Sequence, residues 1–223
     1  MNLLSIVDFL KELNVNNNRE WFAENKNRYT DLKIYFEDIC KDLILKIAEF
    51  DDDIKNVDVK DCVFRIYKDV RFSRDKKPYK THFGVYIASA GGRKSQRGGY
   101  YLHIDPAGSF VAVGVWFPPS NILKALRQSV YDNIEELQEI INKDDFKNNF
   151  GNFYEEDKLK KIPTGFPKDF EYAELLKLKH YMVDYKLDNE TLDSNNFTEK
   201  IAAIVKKGYP LNKFLNYTVD ELI

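Results

Sequence analysis

The apolar residues of this chain change period twice, and that restricts the fold more than any other feature of the sequence. Through the first fifty residues they recur at steps of three, four and seven: Leu3, Ile6, Val7, Leu10 and Leu13, then Phe22, Tyr29, Leu32, Phe36, Ile39, Leu43 and Ile47. A 3.6-residue period lays such positions along one stripe of a helix. Asn16-Asn17-Asn18 separates the two runs. Asn17, with Glu20 three positions on, has the form of a capping box, so a long helix is predicted from there to about Glu49.

Asp51-Asp52-Asp53 marks a turn, and the period then falls to two. Between Cys62 and Phe72, the residues Phe64, Ile66, Val70 and Phe72 share one parity and Arg65, Tyr67, Asp69 and Arg71 the other, which predicts a strand. Phe83 to Ala90, Tyr100 to Asp105 and Phe110 to Phe117 are predicted strands as well, the last two joined by a tight turn at Pro106-Ala107-Gly108-Ser109. The strand from Phe110 is apolar on both parities, the pattern of a strand covered on both faces, so helices are expected over both sides of the sheet. After Pro118-Pro119 the helical period returns, from about Asn121 to Asn142. A short helix near Tyr172–Leu178, a candidate fifth strand at 179–187 and a closing helix at 196–207 follow, with Pro210 expected to break the last. Helices, then strands, then helices in blocks predict one α+β domain over 1–223. It comprises a helical part at 1–50, a mostly antiparallel sheet of four to five strands centred on 60–118, and a helical part at 119–223.

Several function classes drop out at this level. No run of 18 apolar residues is present, so no membrane span is expected. Met1 to Leu13 reads as a first helix and not as a signal peptide. Cys40 and Cys62 cannot build a disulfide framework and read as reduced core residues, so the expected location is cytoplasmic. There is no P-loop and no dinucleotide fingerprint, and no cofactor is expected. Ser73-Arg74-Asp75-Lys76 has the S-x-x-K spacing but falls in a strand-end loop, where that motif lacks its helical setting.

The charge is what remains. The formal net charge is −2, yet the stretch from Arg65 to Tyr100 holds ten basic residues against Asp69 and Asp75, a net of +8, and the rest of the chain therefore carries −10. Such segregation concerns partners and not fold. Arginine forks grip phosphate or carboxylate in pairs of hydrogen bonds, while lysines add charge. The expected site is therefore anionic-ligand binding, most naturally of a phosphate-containing small molecule. Arg65 and Arg71 are its forks, Arg74, Lys76 and Lys80 its charge field, and Tyr67 and Tyr79 its walls. The competing reading is that these arginines pair with Asp69, Asp75 or helix carboxylates. A second basic loop, Gly91 to Gly99, carries Arg93, Lys94 and Arg97 between glycine pairs whose amides can approach an anion.

Nucleic acid or an acidic protein surface would suit the same basic segment, but no helix-turn-helix, zinc finger or RNA-binding aromatic signature accompanies it. His103 and Asp105 share a strand face and His82 can lie on the neighbouring strand, giving two imidazoles and a carboxylate suited to a metal-dependent hydrolase. Lone strand histidines are more often structural, so no metal is expected. Trp21, Phe22 and Trp116 read as packing residues, with a pocket mouth beside Pro118 and Pro119 as the alternative for Trp116.

A family resemblance joins these blocks. Asn17-Asn18-Arg19-Glu20-Trp21-Phe22, the long segment from Arg65 through Lys77-Pro78-Tyr79-Lys80-Thr81-His82, Tyr100-Tyr101-Leu102-His103, Gly114-Val115-Trp116, Pro163-Thr164-Gly165-Phe166 and Leu176-Lys177-Leu178-Lys179 resemble the conserved blocks of domain of unknown function 2461. Lys68 and Arg74 depart from it, each standing where the other basic residue type is expected. The resemblance implies membership over nearly the whole chain and no activity or catalytic residue.

Overall fold

A computed structural model describes residues 2–71 and 75–223. Asn2 caps α1 (Leu3–Val15), its side-chain oxygen accepting from the Ser5 amide, and the helix buries the predicted stripe. The following helix is not continuous. Asn18, not Asn17, caps α2 (Arg19–Glu24), and Asn25 ends it before α3 (Lys26–Ala48) begins. Asn17 does something else: its side-chain amide donates to the Tyr79 carbonyl at 3.0 Å and accepts from the Tyr79 amide at 3.1 Å. One side chain thereby mimics a strand partner and ties the start of α2 to the segment that precedes the sheet.

The chain continues through α4 (Val59–Cys62), β1 (Phe83–Ile87), β2 (Gly99–Ile104) and β3 (Ser109–Val115). Then come α5 (Ser120–Asp132), α6 (Ile134–Ile141), α7 (Asp144–Lys147) and α8 (Ala173–Leu176), followed by β4 (Tyr181–Leu187), α9 (Asn189–Leu192) and α10 (Phe197–Asp220). The four strands form one antiparallel sheet in chain order, and β4 is the strand expected at 179–187. The α+β class holds.

Four further expectations need correction. The segment predicted as a strand from Cys62 instead leaves α4 extended and makes single bridges, Val63 to Val85 and Tyr67 to Tyr79; Phe72 lies outside the described residues. The bridge at Tyr67 is flanked by Lys68 N–H to the Pro78 carbonyl and Lys80 N–H to the Ile66 carbonyl, and Pro78 has no N–H with which to extend it. The helix predicted over 121–142 breaks at Asn133, which has non-helical backbone angles. Pro210 does not break α10. One missing hydrogen bond is outweighed by Val205, Gly208, Leu211 and Leu215, all buried on either side of it.

The last correction matters most for function. Among the described residues, helices cover one face of the sheet and not the other. Val85, Ile87, Tyr100, Leu102, Val111, Val113 and Val183 point to that face and are buried, and α10 lies along β3 there, packed also on α3. Each such side chain contributes roughly 1.5–3 kcal/mol by leaving water. The other face is open. Ala112 and Gly114 count as apolar by composition, yet they are too small to fill a second core.

The Asn17 clamp makes a stability prediction. Asn17→Ala leaves both Tyr79 backbone groups short of a partner and should lower stability by about 1–3 kcal/mol, readable as a lower thermal midpoint. Lys11→Ala, removing an exposed pair with Asp8 on α1, should change it by no more than about 1 kcal/mol. Equal midpoints for the two variants would show that the clamp holds nothing together.

Candidate functional site

The open face has a regular floor plan set by strand register. Tyr86, Tyr101, Ala112 and Asp184 stand side by side across the four strands, with Gly84, His103, Phe110 and Lys186 in the next row. Gly99, Gly114 and Met182 form the row on the other side. Small residues in the middle and large ones around them hollow the face into a cavity of about 840 Å³. That is the volume of a pocket for a small organic ligand. Two glycines are indispensable to its shape. Gly114 has φ +129°, and a Cβ there would sit 2.0 Å from the Tyr181 carbonyl oxygen. At Gly84 the Tyr101 ring lies across the backbone, its hydroxyl 2.8 Å from where a Cβ would stand.

One wall is the basic loop, with Arg93, Lys94 and Arg97 lining the cavity. Their charges differ in availability. Arg97 is paired with Asp53 and with Asp220. Arg93 donates to the carbonyls of Lys60 and Val63, at 2.6 and 3.4 Å. Among the described residues no carboxylate pairs with Arg93 or Lys94, so this wall keeps positive charge.

A second part of the lining, after β3, is aromatic. Trp116 and Phe117 are 44% and 67% exposed, unusual for such side chains directly after a buried strand. Phe117 has φ +49°, a left-handed backbone that bulky residues avoid. Its amide donates to Nδ1 of the buried His180 at 3.1 Å. Trp116 stacks on that imidazole at 4.1 Å, and Tyr154 closes on both. Accepting at Nδ1 leaves the proton of neutral His180 on Nε2, 3.0 Å from Asp157 Oδ1 without the alignment of a hydrogen bond.

At the far end of the floor, Phe110, His103 and His82 stack in a column with ring separations of 4.7 and 4.5 Å. The Tyr101 hydroxyl lies 2.9 Å from His103 Nδ1, and His103 Nε2 is 3.6 Å from Asp105 Oδ2. Burial pushes the His82 pKa down to about 4, the neighbouring His103 and Lys80 act in the same direction, and Asp105 opposes them. Burial also lowers His103, against the pull of Asp105. Burial raises Tyr101 to about 12, so its hydroxyl keeps its proton at neutral pH.

The residues expected to bind an anion are elsewhere. Arg65, Tyr67, Arg71, Lys76, Tyr79 and Lys80 do not line the cavity, and Arg74 lies outside the described residues. Arg65 and Tyr67 are exposed, and the Tyr67 hydroxyl accepts from Lys26. Arg71 pairs with Asp69 through two side-chain hydrogen bonds, and Lys68 pairs with Asp75. Lys76 reaches the Val70 carbonyl. Tyr79 is no open wall: it is buried and stacked on Phe22 at 3.9 Å, because the Asn17 clamp draws it inward. Lys80 sits over the Phe64 ring at 5.1 Å, half-buried, with its pKa lowered by that burial and then by Arg65 and Lys68. His82, His103 and Asp105 do converge. Trp116 lines the cavity together with Pro118 and Pro119. The thiols of Cys40 and Cys62 are buried and pushed up by desolvation, which suits core residues and not nucleophiles.

Fold and cavity together define a class: an α+β protein whose antiparallel sheet is packed with helices on one face and hollowed into a basic-walled, aromatic-rimmed cavity on the other. Residues 5–214 match the family model described as a conserved hypothetical protein, DUF2461, and the chain belongs to that family. No curated protein and no solved structure matches it. No helix of the described residues is long and apolar enough to cross a membrane.

The depressed His82 pKa has a consequence for stability. A histidine in the unfolded chain gains its proton near pH 6.5, whereas folded His82 resists until about pH 4. Between those values the unfolded state binds more protons, so this residue's contribution to stability is fully present above the window and is lost as pH falls through it. In the folded protein the ring NMR shifts of His82 should stay constant from about pH 8 to about pH 5. A titration midpoint near 6.5 would show that the imidazole is solvated instead.

Proposed function

We propose that this protein binds a small anionic ligand, phosphate-bearing or carboxylate, with a planar or apolar body, in the cavity on the open face of the sheet. The observation that carries the reading is that two kinds of lining, basic and aromatic, meet in one hollow at the Gly99–Gly114 end of the sheet. Arg93 and Lys94 line it without carboxylate partners among the described residues, and Trp116 and Phe117 line it with their rings exposed. The guanidinium and ammonium would take the anionic group. The aromatic rim would stack on the body of the ligand, and Ala112 and Gly114 leave room beneath it. In this reading Lys68 and Arg71, paired with Asp75 and Asp69, leave recognition to the Gly91–Gly99 loop.

Thermal-shift measurements against inorganic phosphate, nucleoside monophosphates, sugar phosphates and aromatic carboxylates test it. At a ligand concentration of ~100 Kd, stabilisation is about 2.7 kcal/mol, which for a chain of this size raises the midpoint by roughly 5–10 °C. Lys94→Glu and Trp116→Ala, both at exposed positions, should remove the response, while Arg65→Ala should keep it. A response that survives both cavity variants, or no response to any of the four ligand classes, rejects the assignment.

A further inference from the structure

We propose that His82, His103 and Asp105 form a binding site for a divalent transition-metal ion at the wall of the cavity. The three residues reach one place by strand geometry alone. His82 and Asp105 each stand one residue beyond Phe83 and Ile104, the last pair of the β1–β2 ladder, and His103 is two residues before Asp105. One nitrogen from each imidazole and one carboxylate oxygen lie within 4.8 Å of one another.

The surroundings fit ligation better than plain hydrogen bonding. His103 Nε2 and Asp105 Oδ2 are 3.6 Å apart, too far for a hydrogen bond. Two ligands at about 2.0–2.1 Å from a tetrahedral ion stand ~3.3–3.4 Å apart, so little movement separates this pair from a chelating one. The other atom of each group is already engaged. Tyr101 holds His103 Nδ1 at 2.9 Å, and the Ala107 amide holds Asp105 Oδ1 at 2.8 Å. Those contacts orient Nε2 and Oδ2 towards a common point, the outer support that metal-binding histidines and carboxylates ordinarily have. His82 must turn out of its overlap with His103, whose ring plane it meets at 36°, for its nitrogen to aim there. Two imidazoles and one carboxylate select zinc or iron(II) over magnesium or calcium. Three protein ligands are one fewer than a closed structural zinc site holds, and both imidazoles line the cavity, so the remaining position would open towards a bound ligand. The proposal does not depend on the anion reading.

Tag-free protein equilibrated separately with Zn²⁺ and, without oxygen, with Fe²⁺ should retain about one equivalent of one of them after desalting, by elemental analysis. His103→Gln and Asp105→Asn should each weaken binding by at least ~10-fold, and Tyr101→Phe should weaken it about 10-fold while keeping the stoichiometry. Circular dichroism establishes that the variants fold. In the wild type, Co²⁺ should give visible absorption bands and paramagnetic broadening of the His82 and His103 ring signals, a readout that needs no variant. Retention of metal unchanged in His103→Gln and Asp105→Asn overturns the proposal. So does wild-type protein that retains neither ion and leaves those two ring signals untouched by Co²⁺.

Discussion

The contact between α10 and β3 decides which side of the sheet is left open. Gly208 faces Val113 so closely that a Cβ would stand 2.9 Å from its methyl groups, which lets the helix lie flat on the strand. From the same helix, Asn216 bonds both the amide and the carbonyl of Gly98, and Asn212 donates to the carbonyl of Gly99. These are buried polar contacts, and losing one partner would leave backbone groups unsatisfied. Asp220 at the end of α10 pairs with Arg97. A helix on the closed face therefore anchors the root of the loop that walls the cavity on the open face. The core and the candidate site are two consequences of one interface.

Much of this architecture was legible in the residues, and the failures have physical causes. Stripes such as Leu3-Ile6-Leu10-Leu13 can satisfy only a helix, and they did. Interruptions were harder to see, because Asn25 and Asn133 end helices by backbone angle and not by leaving the apolar stripe. Pro210 erred the other way, since burial on both sides overrides local preference. For the site, parity carried a signal that went unused. Along β2 and β3 one parity reads Tyr100, Leu102, Val111 and Val113, and the other reads Tyr101, His103, Phe110 and Ala112. Polar aromatic and small residues sharing a face mark an open surface. Treating Ala112 and Gly114 as equivalent to valine erased that contrast. Asp184, Met182 and Tyr154 could not be assigned without knowing that β4 joins beside β3.

The charge segregation resolves into two populations. Cations with acidic neighbours close in sequence, Arg71 beside Asp69 and Lys68 near Asp75, find them locally and form exposed pairs. Such pairs contribute only about 0–1 kcal/mol each. The loop from Gly91 to Gly99 contains no acid, so its charges must be met from elsewhere. Arg97 is met by Asp53 and Asp220, and Arg93, among the described residues, by carbonyl oxygens. Composition counts all ten basic residues alike, whereas the fold separates those already answered from those still facing solvent.

The exit from β3 points the same way. A left-handed backbone at a bulky residue costs about 1–3 kcal/mol, and folds keep such positions where the surroundings enforce them. Phe117 repays none of that through burial, because its ring is mostly exposed. The enforcement comes instead from His180, a buried imidazole that accepts the Phe117 amide and stacks beneath Trp116. An ordinary strand end would let these rings fold down onto the protein. Here a hydrogen bond and a stacked histidine hold them in the lining of the hollow that the basic loop also lines. That strain contributes nothing to the core, and under the proposed ligand-binding reading it keeps two aromatic rings available in the cavity.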